Sequence, residues 1–335
     1  MKIVPEKPPS LSLLRNCEVC RFHVSCSAEA EKCGHISLLE GLTPKAILKY
    51  ERKGIFSIEQ MSYLFKPKKR RKADNRTKVS FCPELQALAI RTGKTYLRTL
   101  PSLVRQPVEL FLDIEGLPDR NCYYLIGLLV KCDTTLDYHA FWADRLEDEA
   151  TVWRSFINKI AEFPESSLFH YGAYERKSIE TLGIRYGRPP SNLRDRLINL
   201  NAHIYGNIYF PVRSNSLKVL GRLLGASWSS PNASGLQSLV WRHYWESTLD
   251  PKYRDQLITY NREDCQALLL LTDRLTSIME HATSSPSIDF AYAPKQQATE
   301  KGARLHDELE GLLKFAHNEY EKKRIVFRND DTQEL

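Results

Sequence analysis

The chain has 335 residues, 42% of them hydrophobic and 10% aromatic, and carries a net charge of +7 at pH 7. That length supports two or three folded units, and the longest apolar stretch, Tyr123 to Val130, is far too short to span a bilayer. With no basic-then-apolar leader, the expectation is a cytoplasmic protein with no membrane role. The positive charge is concentrated: Lys66, Lys68, Lys69, Arg70, Arg71, Lys72, Arg76 and Lys78 fall within thirteen positions. Such a run binds phosphate backbones or serves as a solvated linker. Lys68, Lys69, Arg70, Arg71 and Lys72 are its candidate nucleic-acid contacts.

Residues 1–35 are Pro-rich, then Cys-rich, with little hydrophobic periodicity. A segment of that kind cannot build a core, so a bound metal is its plausible organiser. The spacing is Cys17-x2-Cys20-x5-Cys26, with Cys33 following. Four thiolates suit either tetrahedral Zn²⁺ or an iron–sulfur cluster; the alternative is a set of reduced thiols without metal. The other cysteines, Cys82, Cys122, Cys132 and Cys265, are scattered and read as plain thiols.

Residues 36–65 show apolar positions at helical spacing between turns at Gly41 and Gly54, a helix-hairpin-helix-like module. Turn amides in such modules can hold a phosphate, although packing explains the pattern equally well. Residues 66–106 read as the basic linker and a helix-containing connector.

From residue 107 the pattern changes. Glu109 to Glu115, Cys122 to Lys131 and Leu136 to Trp142 read as three strands joined by hairpins. An amphipathic helix from Arg145 to Phe163, a short strand from Ser167 to Tyr171 and a helix from Tyr174 follow. That order predicts an α/β ribonuclease-H-like fold over 107–282. Residues 283–335 read as a Ser/Pro-rich linker followed by a charged helix from Ala298 to Lys323.

The chemistry centres on Phe111-Leu112-Asp113-Ile114-Glu115-Gly116. Alternate residues of a strand share a face, so Asp113 and Glu115 point the same way. Two buried acids repel unless a cation lies between them, and oxygen ligands suit Mg²⁺ or Mn²⁺. Glu175 follows the fourth strand at a strand-to-helix junction, where an acid is also favoured simply by the helix dipole. Tyr260 and Asp264 are four apart in a helical pattern from Lys252 to Met279, on a face that Leu257, Leu268 and Leu271 turn inward. Lys218 is a candidate phosphate contact or a surface lysine, and His170 a substrate contact or a half-buried histidine. Trp228, Trp241 and Trp245 read as core residues or as stacking platforms in a groove.

Taken together, Asp113-x-Glu115, Glu175 and Tyr260-x3-Asp264 resemble the DEDD exonucleases, in particular the YprB-type ribonuclease-H-like domains that follow RecB-type nucleases. The cysteine trio resembles the one that anchors a [4Fe–4S] cluster in RecB-type nucleases; with only sixteen residues before Cys17, the expectation is that the upstream nuclease core is absent. The second motif of proofreading-type members carries Asp, whereas this chain has Glu175. The resemblance implies a two-metal 3′–5′ exonuclease acting on single-stranded DNA or RNA. In it Asp113 bridges two Mg²⁺ or Mn²⁺ ions, Glu115, Glu175 and Asp264 complete their shells, and Tyr260 orients water. It also implies a role in DNA repair and a separate nuclease or helicase partner. The competing expectation is a non-catalytic nucleic-acid-binding or transposon-associated protein derived from a longer RecB-type nuclease.

Overall fold

The first hundred residues form short helices wherever a cap or a proline lets one start. The computed structural model describes residues 11–14, 17, 20–67, 80–231, 234–292, 304–305 and 307–318. Helix α1 (His23–Cys33) stops at Gly34, whose φ of 60° is the left-handed conformation that glycine adopts without steric cost. Helix α2 (Pro44–Glu51) begins with Pro44 behind Thr43, whose hydroxyl accepts from the Ala46 amide at 3.2 Å. Helix α3 (Ile58–Ser62) begins with a reciprocal cap between Ser57 and Gln60. Ile36, Leu39, Ile47, Ile58 and Met61 bury against Ala87 of α4 (Pro83–Thr92), giving these helices a small core of their own.

The chain then enters β1 (Thr95–Leu97) and the long strand β2 (Val108–Leu117). Strand β2 pairs antiparallel with β3 (Cys122–Cys132), and β3 in turn with β4 (Thr135–Trp142). After α5 (Glu149–Ala161), strand β5 (Ser167–His170) lies parallel to β2. Helices α6 (Tyr174–Tyr186) and α7 (Leu193–Arg196) lead to β6 (Leu197–Asn199), which is parallel to β5. The five-stranded sheet has the order β4-β3-β2-β5-β6. The expected strand and helix order from 109 to 186 is therefore observed.

Beyond the sheet come α8 (Leu200–Ile204), β7 (Ile208–Tyr209), α9 (Leu217–Leu223), α10 (Gly235–Thr248), α11 (Pro251–His281) and β8 (Ile288–Phe290). The two-residue alternation of β2 feeds two cores. Leu110, Leu112 and Ile114 pack with Trp153, Phe156 and Ile160 of α5 and with Trp241 of α10. Phe111 faces the other way, toward Leu268, Leu271 and Leu275 of α11. Asp113 and Glu115, in step with Phe111, are thereby aimed at the α11 side. No helix among the described residues is long and apolar enough to cross a membrane.

Two boundaries differ from the sequence expectation. Residues 81–106 are more than a connector, because β1 is the middle strand of a second sheet, antiparallel to β7 and parallel to β8. The Gln86 side-chain amide of α4 donates to the carbonyls of Phe210 and Val212, at 2.6 Å each. Strand β8 lies inside the stretch read as a Ser/Pro linker. Strands of three residues are too short to reveal a period, so both escaped the reading. The chain divides into two compact units, 1–291 and 292–335. In the second, residues 307–318 are helical with exposed side chains.

Arg242 locks α10 onto the end of β4. Its guanidinium is wholly buried, donates to the carbonyls of Ala143 (2.7 Å) and Asp144 (3.2 Å), and lies over the rings of Tyr124 and Trp142. Arg242→Ala would orphan the Ala143 carbonyl, leave that of Asp144 with only the Trp245 indole, and open a cavity between two aromatic rings, so urea denaturation should show a loss of about 3 kcal/mol.

Candidate metal centre

Asp113 and Glu115 from β2 and Asp264 from α11 each offer a carboxylate oxygen, and these atoms all lie within 4.8 Å of one another. Each acid is held by a different neighbour. The Asn261 amide, one turn before Asp264 on α11, is wholly buried and donates to Asp113 Oδ2 at 2.7 Å and to the Asp113 carbonyl at 3.1 Å. Its own oxygen accepts from the Tyr138 hydroxyl at 2.8 Å. Ser238 of α10 donates to Glu115 at 2.9 Å, and the Trp228 indole donates to Asp264 at 2.8 Å.

Two glycines make room for these supports. Gly127 stands opposite Asp113 in the β2–β3 ladder, and a Cβ there would lie 1.5 Å from the Asn261 side-chain oxygen. Gly221 does the same for Trp228, whose ring would come within 2.7 Å of an added Cβ. Gly127→Ala should therefore expel Asn261 from its seat and release Asp113. Thermal denaturation is expected to show a loss of about 1–3 kcal/mol, accompanied by weaker binding of Mn²⁺.

Tyr260 is buried, meets the Trp241 ring edge-on at 6.2 Å and hydrogen-bonds to Asp264. The ammonium of Lys218, from α9, lies 4.1 Å from the centre of the Tyr260 ring. Glu175 occupies the first turn of α6 and is 5% exposed. Its Oε2 is buried without a hydrogen-bond partner among the described residues, 3.4 Å from His170 Nδ1. It stands outside the close trio, yet its charge acts on both Asp113 and Glu115.

The electrostatics follow from burying several acids together. Burial, then repulsion from Asp264, Glu115 and Glu175, drives Asp113 well above the ordinary carboxylate range. Glu115 is pushed up to about 8 by burial and by Asp264, with Ser238 and Lys218 opposing. Asp264 rises to about 6 through burial, moderated by Lys218, Trp228 and Tyr260. Lys218 is itself lowered by burial, against the pull of the three acids. A divalent cation among these oxygens would cancel the repulsion. The orphaned Glu175 oxygen and the all-oxygen donor set fit a hard ion such as Mg²⁺ or Mn²⁺.

The structure thus gathers Asp113, Glu115 and Asp264, sets Tyr260 and Lys218 on them, and leaves Glu175 alongside. Lys218 is half-buried against the Tyr260 ring rather than a surface lysine. Trp241 and Trp245 are core residues, while Trp228 is half-buried on Asp264. Of the four cysteines read as a Zn²⁺ or iron–sulfur centre, Cys26 and Cys33 both lie on α1, seven residues apart. Among the described residues only the acidic trio gathers three or more metal-ligand side chains. Lys68, Lys69, Arg70, Arg71 and Lys72 lie outside the described residues.

Asn261 escaped the sequence reading, although its place one turn before Asp264 on an inward helix face was a usable signal. Ser238 and Gly127 had none, because what they do depends on a partner more than 100 residues away.

With the strand order, the acids and their supports defined, the chain was compared with known proteins. Residues 110–276 match the family RNase_H_2, of the RNase H superfamily. This RNase H-like segment includes Asp113, Glu115, Glu175, Lys218, Tyr260 and Asp264. Such a domain implies a nuclease, a nucleic-acid substrate and divalent metal. The match is to the superfamily and adds nothing specific to RecB-type or YprB-type nucleases. No curated protein and no solved structure matched the chain significantly.

Proposed function

We propose that the protein is a divalent-metal-dependent nuclease that removes nucleotides from the 3′ end of single-stranded DNA or RNA. The observation that carries this reading is the trio Asp113, Glu115 and Asp264, with Tyr260 hydrogen-bonded to the last of them. Asp113, Glu115 and Asp264, with Glu175 beside them, would hold the metal. Bound Mg²⁺ or Mn²⁺ supplies an acidified water and charge stabilisation at the leaving 3′-oxygen.

The protein's own groups do the rest. Asn261 fixes one Asp113 oxygen and leaves the other for a ligand. Ser238 and Trp228 do likewise for Glu115 and Asp264, so the donor set is oriented before any ligand arrives. The Tyr260 hydroxyl, fixed beside Asp264, is suited to orient an attacking water. The Lys218 ammonium sits where the phosphate of a bound strand would meet the acids. Glu175, one methylene longer than the Asp of proofreading-type members, reaches the same face from α6. The exonuclease direction rests on the resemblance of Tyr260-x3-Asp264 to the DEDD arrangement.

The test is degradation of end-labelled single-stranded DNA and RNA with Mg²⁺ or Mn²⁺. Metal-dependent shortening from the 3′ end is expected. Strands that are bound yet stay intact with either metal would overturn the reading.

A further inference from the structure

His170 ends strand β5 and is 1% exposed, which leaves no surface for a substrate to touch. Its place in the sheet also keeps it out of the acidic trio. Strand β5 alternates as β2 does: Leu168 belongs to the core around α5, while Phe169 lies against Phe111 on the α11 side. His170, in step with Leu168, is turned to the sheet face opposite Asp113 and Glu115. It offers no ligand atom to the cluster that Asp113, Glu115 and Asp264 form. What its ring does face is Glu175, with Nδ1 3.4 Å from Oε2. The charge of Glu175 in turn acts on Asp113 and Glu115.

Both of the facing atoms are buried, and neither makes a hydrogen bond among the described residues. Buried polar atoms without a partner are costly and rarely left so. A divalent cation accounts for the carboxylate, but it does not account for the ring nitrogen. A neutral imidazole carries a single N–H. With the proton on Nδ1 the ring offers Glu175 a donor, whereas the other tautomer would aim a lone pair at a carboxylate. Each carboxylate oxygen has two acceptor sites, so a bond from His170 still leaves Glu175 sites for a cation.

The residues between His170 and Glu175 are pinned by other partners. The Gly172 amide donates to the Asn199 side chain at 2.9 Å, and the Tyr171 hydroxyl donates to the Asn215 carbonyl. Glu175 sits in the first turn of α6, where the helix dipole favours an acid. The loop thus keeps its course without the imidazole, and the direction of the Glu175 carboxylate is what remains for the ring to set.

We propose that His170 is the positioning residue of Glu175: its Nδ1–H donates to Oε2 and holds the carboxylate in one orientation for a cation shared with Asp113, Glu115 and Asp264. The proposal deepens the nuclease reading and rests on it for the cation. It reverses the commoner arrangement, in which a carboxylate orients a histidine that ligates the metal.

The experiment titrates Mn²⁺ by calorimetry into wild type, His170→Asn, His170→Gln, Glu175→Gln and the double variant that combines the last two. Asn carries its amide nitrogen on Cγ, as the imidazole carries Nδ1; Gln carries it one bond further out and misses that place. His170→Gln and Glu175→Gln are each expected to weaken Mn²⁺ by about tenfold or more, and His170→Asn to stay within about threefold of wild type. The double variant should bind no more weakly than Glu175→Gln alone, because both changes break one interaction. His170→Gln binding like wild type, His170→Asn as weak as His170→Gln, or losses that add in the double variant would overturn the assignment, even where strands are degraded normally. Wild type that binds no Mn²⁺ would overturn it together with the metal reading. The expected pattern in a protein that never cuts would sustain the role of His170 and sink the nuclease reading instead.

Discussion

Asp113→Asn and Asp264→Asn are each expected to lower strand degradation by about 10³-fold or more, because each removes a charge that holds metal at the reacting phosphate. Both substitutions keep the side-chain volume, so the loss should not come from unfolding. Asp113 is the more informative of the two. Asn261 donates to one of its oxygens, so an amide at 113 keeps that bond through its carbonyl while losing the charge. Mn²⁺ binding by calorimetry should fall in parallel. Glu175→Gln should cost less, about 10–100-fold, since Glu175 stands beside the trio rather than within it. Cleavage that survives in both Asp variants would show that these acids are not the metal site.

Without metal, the protein is expected to lose stability as the pH rises from about 5 to 8, and added Mn²⁺ to restore it. Glu115 has an ordinary value of 4.5 and is raised to about 8, and Asp264 goes from 3.8 to about 6. Across those windows the folded protein keeps protons that the unfolded chain has released, so stability falls with pH there. Below the ordinary values both states are protonated, and the acids cost nothing. At pH 8 the cation meets an ionised Asp264 and a Glu115 that is about half ionised; at pH 6 it must displace more protons first. The upward shift in melting temperature with millimolar Mn²⁺ should therefore be larger at pH 8. Glu115→Gln should melt higher than wild type in EDTA at pH 8 and lose most of the metal response. A melting temperature that ignores both pH and metal would mean the acids do not share a site.

The sheet was readable in the sequence because β2, β3 and β4 are long, apolar and bounded by turn residues. The acids were readable for a different reason: an acid inside an apolar strand or on an inward helix face conflicts with its surroundings, and the conflict is visible locally. Supports that join distant elements left no such trace. Ser238 is an ordinary serine near the start of α10 until Glu115 lies against it. Gly127 is a weak residue for a strand interior, and the Asn261 amide and the Tyr138 hydroxyl above it explain the absence of a side chain.

The second sheet has a consequence for any attempt to isolate the RNase H-like domain. Strand β1 is its centre, with β7 on one side and β8 on the other. A fragment cut at residue 107, where the sequence pattern changes, would strip both strands of their shared neighbour and bare two rows of unpaired backbone groups. Such edges recruit strands from other molecules, so that fragment is expected to self-associate. A fragment starting near residue 80 keeps α4 and β1 and leaves those edges covered.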